Sequence, residues 1–175
     1  VLLFLGRLNR DKGVIDLVNS FHRVVLQLDN LHLVFVGPDE QNIEKMLFDE
    51  DRLHKNIQFI GSTAEPEKWL SIADVFCLSS YREGFGSSII EAGAIGIPAI
   101  ASRIYGLIDA VVEGETGLMH QVGNISEISD AIITIIDDDK LRNYLGENAL
   151  KRVKSSFSHE YLSNLLLQYV NEKLK

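Results

Sequence analysis

The sequence holds one cysteine, Cys77, in 175 residues. No disulfide can form within the chain, and a reducing compartment fits. Cys77 lies in the apolar run Val75-Phe76-Cys77-Leu78 and reads as a small core hydrophobe, not a nucleophile. Basic residues are the minority, 17 Lys and Arg against 25 Asp and Glu. That balance argues against a general nucleic-acid binder, which would show a basic face, but allows a local pair of cations on a small anion. No apolar stretch is long enough to span a bilayer, and none reads as a secretory signal. The five histidines lack metal-ligand spacing such as His-x-x-x-His. The Gly-x-Gly-x-x-Gly signature of dinucleotide-binding folds is incomplete, since Gly84 and Gly86 are followed by Ile89. No internal repeat or low-complexity linker divides the chain. It opens at Val1 without an initiator Met, inside a strand-like run, which predicts a fragment of a longer protein.

What is present is an alternation. Short apolar runs at 1–5, 31–36, 57–60, 75–78, 98–101 and 117–120 predict strands. The first, second and fourth are almost continuously apolar, as expected for strands covered on both faces. Helical patterns lie between and after them, at 14–28, 39–54, 66–73, 87–95, 126–136, 140–153 and 158–174. The first places Ile15, Val18, Phe21, Val25 and Leu28 at helical spacing. Strand–helix alternation of this kind predicts a single α/β domain: a Rossmann-like, doubly wound parallel sheet of about six strands with C-terminal helices. Such sheets bind ligands in the loops at the carboxyl ends of their strands.

Two of those loops carry chemistry. After the first strand comes Gly6-Arg7-Leu8-Asn9-Arg10-Asp11-Lys12-Gly13. Gly6 permits a tight turn, Arg7 offers a planar donor fork and Lys12 a point charge before the next helix. A helix start attracts anions, so cations there call for an anion held between them. After the fourth strand comes Ser79-Ser80-Tyr81-Arg82-Glu83-Gly84-Phe85-Gly86-Ser87-Ser88-Ile89-Ile90-Glu91. Its glycines expose backbone N–H groups before a helix. Glu91, in the early turns of that helix, leans back toward the strand ends and can accept two hydrogen bonds from a vicinal diol. Its neighbours Ile90, Ala92 and Ala94 predict a partly buried carboxylate.

These motifs, in this order and spacing, resemble glycosyltransferase family 4 (group 1). Gly-Arg-Leu is followed by Lys-Gly, and Glu83-Gly84-Phe85-Gly86 by a second Glu eight positions after the first. The segments from Glu91 to Ser102 and from Glu113 to Leu118 are similar to that family's next helix–strand and turn–strand pieces. The resemblance implies one half of a GT-B fold, with 1–175 as the nucleotide-sugar-binding domain and a last helix at about 158–174 that crosses to the N-terminal, acceptor-binding domain. It implies a retaining hexosyltransferase acting on a UDP- or GDP-linked sugar and a saccharide or lipid-linked acceptor, in surface-polysaccharide or glycan synthesis. The whole enzyme would be cytoplasmic, with peripheral association at the inner membrane face, and this half alone inactive. Arg7 and Lys12 would hold the diphosphate and Glu91 the ribose. Glu83, the catalytic residue, would face the sugar, and Gly6 and the Gly84, Phe85, Gly86, Ser87 and Ser88 backbone would line the donor site.

No metal or other cofactor is expected. Asp49-Glu50-Asp51 and Asp137-Asp138-Asp139 contain the Asp-x-Asp of a different transferase fold but read as solvated helix ends. One segment departs from the family pattern. Many members carry a Gly-Gly pair and a Glu where this chain has Arg103-Ile104-Tyr105-Gly106-Leu107-Ile108-Asp109. Two other readings are a sugar-nucleotide epimerase of the same architecture and a non-catalytic Rossmann-like interaction module that binds no nucleotide.

Overall fold

The computed structural model describes residues 1–28, 30–49 and 55–173. Its strands are β1 (Leu2–Leu5), β2 (Leu33–Val36), β3 (Ile57–Gly61), β4 (Val75–Leu78), β5 (Ala99–Ser102) and β6 (Gly117–His120). Its helices are α1 (Val14–Val24), α2 (Ile43–Asp49), α3 (Pro66–Leu70), α4 (Ser87–Gly93), α5 (Ile125–Asp137), α6 (Asp139–Ser156) and α7 (His159–Lys173), with a 3-10 turn at Arg10–Lys12. The six strands form one parallel sheet in the order β3-β2-β1-β4-β5-β6. It is the α/β, Rossmann-like sheet that the alternation predicts. Every residue of β2, β4 and β5 is buried, because helices cover both faces.

The order reverses between β1 and β4. The chain steps outward from β1 to β2 and β3, then returns to place β4 on β1's other side. Connections leaving the two neighbours diverge there and open a crevice at their carboxyl ends. The two loops that carry the motifs are the loops after β1 and β4.

Several boundaries differ from the sequence reading. The fifth strand starts at Ala99: Pro98 lends its carbonyl to the Phe76 amide at 2.9 Å but has no N–H to give back. Helix α1 ends at Val24, and its buried face is Val14, Leu17, Val18, Phe21 and Val24. Of the predicted stripe, Ile15, Val25 and Leu28 are only partly buried. The helix starts directly after Gly13, and its packing on α5 selects a neighbouring apolar stripe. Helix α4 stops at Gly93, short of Ile95, in a turn closed by the Ile97 amide on the Ala92 carbonyl at 3.0 Å. The 3-10 turn at Arg10–Lys12 adds an element to the loop after β1.

Of the two Asp-x-Asp segments, Glu50 and Asp51 lie outside the described residues, as do the end of the predicted second helix and Leu174. In the other, Asp138 caps α6, accepting from the amides of Lys140 and Leu141 at 2.9 Å each. Asp139 pairs with Arg142 at 2.6 Å. Both acids are accounted for by the helix start. The Cys77 thiol is fully buried in β4, which pushes its pKa up to about 12 and leaves it inert as a nucleophile.

Helix α7 has no buried residue. Tyr161, Leu162, Leu165, Leu166, Tyr169 and Val170 are all exposed. No helix among the described residues is long and apolar enough to cross a membrane.

Candidate functional site

The loop after β1 is shaped by its own side chains. Asn9 accepts from the Lys12 amide at 3.1 Å, an Asx-type cap that folds Arg10–Lys12 into its turn. Lys12 is thereby aimed across the β1/β4 crevice, where its ammonium pairs with Glu83. Ser80 donates to the same Glu83 oxygen at 3.0 Å. Further bonds lace the two loops together. The Tyr81 amide donates to the Asp11 carbonyl at 2.7 Å, and Arg82 pairs with Asp11 at 2.6 Å. The Tyr81 hydroxyl donates to Asp16 at 2.8 Å, and that bond holds the phenol pKa above its usual value.

A cleft of about 380 Å³ lies at this crossing, lined by Leu5, Gly6, Arg7, Lys12, Leu78, Glu83, Phe85, Gly86, Ser87, Ser88 and Glu91. A second cleft of about 380 Å³ adjoins it, sharing Arg7, Lys12 and Glu83 and adding Asn9, Asp11, Arg82 and Gly84. The structure thus gathers all the residues expected at the donor site, Gly6, Arg7, Lys12, Glu83 to Ser88 and Glu91, around one composite cavity. Residues up to 85 positions apart in the chain, from Gly6 to Glu91, meet because β1 and β4 are neighbours.

Each of the two cations has a carboxylate partner within the chain, and one expectation, the partial burial of Glu91, is corrected. Lys12 has Glu83, and Arg7 reaches Glu40, in the loop after β2, at 3.2 Å. Glu40 also accepts from Asn9 at 2.8 Å, and these bonds, Asn9's foremost, hold its pKa below the usual carboxylate range. Glu91, in turn, is exposed, as is Ala94. It makes no hydrogen bond or ion pair among the described residues, so burial cost is no argument for a partner. What singles Glu91 out is its place on the cleft wall beside Ser87 and Ser88.

Sequence reasoning missed Glu40, Ser80 and Tyr81. Asn9 had a signal, an Asx residue three positions before the amide it caps. Glu40 had none, because its partner lies on the neighbouring strand's loop.

The unusual segment after β5 buttresses the site from behind. Gly106 lies so close to the loop after β4 that a Cβ there would fall 1.9 Å from the Glu83 carbonyl oxygen. Leu107 is fully buried, packed where a Cβ on Gly86 would approach its Cδ2 to 2.4 Å. Gly86 itself starts α4 with φ of +71°, the left-handed region that a side chain disfavours.

The sequence profile of the glycosyl transferases group 1 matches residues 1–152. The chain belongs to that family. Its relatives include the capsular polysaccharide biosynthesis glycosyltransferase CapM of Staphylococcus aureus, 34% identical over 100% of this chain and 47% of its own length. The N-acetyl-alpha-D-glucosaminyl L-malate synthase of Bacillus anthracis is 31% identical over 91% of this chain and 42% of its own length. The chain therefore spans about half the length of the curated relatives it matches. Among solved structures, Anabaena HepE in complex with UDP superposes with a TM-score of 0.90 over 98% of this chain and 48% of that one, at 22% identity. The fold is accordingly that of one half of a GT-B glycosyltransferase. No group of three or more His, Cys, Asp or Glu among the described residues could hold a metal ion.

Proposed function

We propose that this chain is the donor-binding half of a retaining glycosyltransferase, which moves a hexosyl group from a nucleotide sugar to a saccharide or lipid-linked acceptor in surface-polysaccharide or glycan synthesis. The observation that carries the reading is the cleft itself. Two cations, a carboxylate pair and the start of α4 converge at the sheet's switch point, in a family of transferases. The capsular-polysaccharide relative and the UDP complex of the structural neighbour support the acceptor class and the donor class.

Each residue then has a physical task. Arg7 and Lys12 receive the diphosphate, and the backbone amides of Gly84 to Ser88, at the start of α4, supply further donors. When the bond from the sugar's anomeric carbon to the diphosphate breaks, negative charge grows on the departing phosphate, and these fixed donors stabilise it. Glu91 takes two ribose hydroxyls. Glu83, facing the junction of the two clefts, accepts from the hexose hydroxyls and orients the ring. The acceptor arrives from the other domain, and closure of the two halves excludes water. This half alone binds without transferring. The decisive test is calorimetric titration with UDP, GDP and their nucleosides; absence of any nucleotide binding would favour an interaction module.

Two predictions belong to this reading. Glu91→Gln should weaken UDP or GDP binding several-fold or more, the scale of a hydrogen bond to a charged group, and hardly alter binding of the 2′-deoxy nucleotide. Equal losses for the two ligands would remove Glu91 from the ribose. Nucleotide affinity should also survive a strong chelator, since Arg7, Lys12 and the amides counter the diphosphate charge; a large loss on chelation would assign that task to a metal.

A further inference from the structure

Three contacts outside the cleft converge on the back of the loop that carries Glu83 and Phe85. Phe157, the residue that ends α6, packs its ring on Phe85, with centroids 5.6 Å apart and planes tilted by 57°. Arg152 places its guanidinium carbon 5.3 Å from the centre of the Phe157 ring. The same guanidinium donates to the Asp109 carbonyl at 2.6 Å. Asp109 closes the segment whose Leu107 is buried beside Gly86. The contacts form a ring: Phe85 to Phe157, Phe157 to Arg152, Arg152 to Asp109, and through Leu107 back to Gly86.

Phe85 is both a member of this ring and a wall of the cleft, and it is 43% exposed. It sits between two glycines, in a stretch that would be costly to order at the moment of binding. A ring that orders it beforehand lowers that cost. We infer that Arg152 and Phe157 are positioning residues: they touch no ligand and set the Glu83–Gly86 loop, through Phe85 and Asp109, in the shape that receives the donor. The inference rests on the nucleotide-sugar reading for its ligand, but not for its geometry.

The test uses the whole chain with Phe157→Ala, Phe157→Tyr, Arg152→Gln and Arg152→Lys. Amide hydrogen exchange is followed at 84–88 and, as a distant control, at 14–24, beside thermal unfolding and titration with UDP and uridine, or GDP and guanosine. Phe157→Ala and Arg152→Gln should speed exchange at 84–88 selectively and weaken diphosphate binding about three- to ten-fold, the scale of one aromatic or cation–π contact. Phe157→Tyr, which keeps the ring, should restore both readouts, and Arg152→Lys should restore part, since it keeps the charge but not the fork. Uniform acceleration across the chain, or unchanged exchange at 84–88, would overturn the positioning role. If Phe157→Ala does not fold, Arg152→Gln carries the same test. If the parent chain binds nucleotide and the variants bind it equally well, positioning fails and the nucleotide reading stands. If the parent binds none, the nucleotide reading fails and the exchange data decide positioning alone.

Discussion

Lys12→Ala is expected to weaken binding of a nucleoside diphosphate about ten-fold or more, since a hydrogen bond to a charged group contributes about 1.5–3 kcal/mol. Binding of the nucleoside without phosphates should hardly change. Lys12 stands out over Arg7 because of where each charge sits. The Lys12 and Glu83 side chains are only 17% and 13% exposed, so water and salt screen that ammonium weakly. Arg7 is 62% exposed, and its variant should lose less. Glu83 competes with the diphosphate for the same ammonium. Glu83→Gln should therefore leave diphosphate affinity intact or raise it, while the preference for a sugar-bearing nucleotide falls. Calorimetry on the parent and the three variants with nucleoside, nucleoside diphosphate and nucleotide sugar checks this, and unchanged diphosphate affinity in Lys12→Ala would remove the lysine from the phosphate site.

Gly106→Ala should damage the site although Gly106 does not itself line the cleft. The added Cβ would lie 1.9 Å from the Glu83 carbonyl oxygen and 2.6 Å from its carbon. Both are backbone atoms, so no rotamer change can relieve the overlap. Either the segment after β5 or the loop bearing Glu83 must move. Overpacking of this kind costs about 1–3 kcal/mol of stability, and a displaced loop that loses about 1.4 kcal/mol of binding should lower nucleotide affinity about ten-fold. The control is Tyr105→Ala, one residue away and 88% exposed, expected to stay within about 0.5 kcal/mol of the parent. Thermal unfolding and titration of the two variants decide it; a Gly106→Ala chain that melts and binds like the parent would mean the segment yields freely.

How far the sequence reaches is visible in these same residues. Continuous apolar runs announce strands covered on both faces, and the strands sit where those runs lie. The motif loops follow β1 and β4 because a doubly wound sheet leaves its ligand loops there, so Arg7, Lys12, Glu83 and Glu91 could be grouped before any geometry was known. What failed depends on partners distant in sequence. Nothing around Glu40 signals that it meets Arg7, for the pairing exists only once β2 lies beside β1. The face that α1 buries is chosen by α5, more than a hundred residues later. Glu91's exposure escaped for a related reason: local composition describes a helix's average burial, not which side the cleft opens on.

The position of β1 at the middle of the sheet also constrains how the molecule comes into being. In sequence order β1, β2 and β3 can zip together early, using neighbours within the first 61 residues. That leaves β1 with one edge unpaired until Leu2 and Leu3 find Val75 and Phe76. A long loop must close for that pairing, and such closure is slow relative to local contacts. In the interval an apolar strand edge stands open to other chains. The same late event creates the cleft, since its two walls hang from β1 and β4. A chain that pairs β1 with β2 and β3 first would therefore complete its cleft at the same β1–β4 pairing that covers the open strand edge.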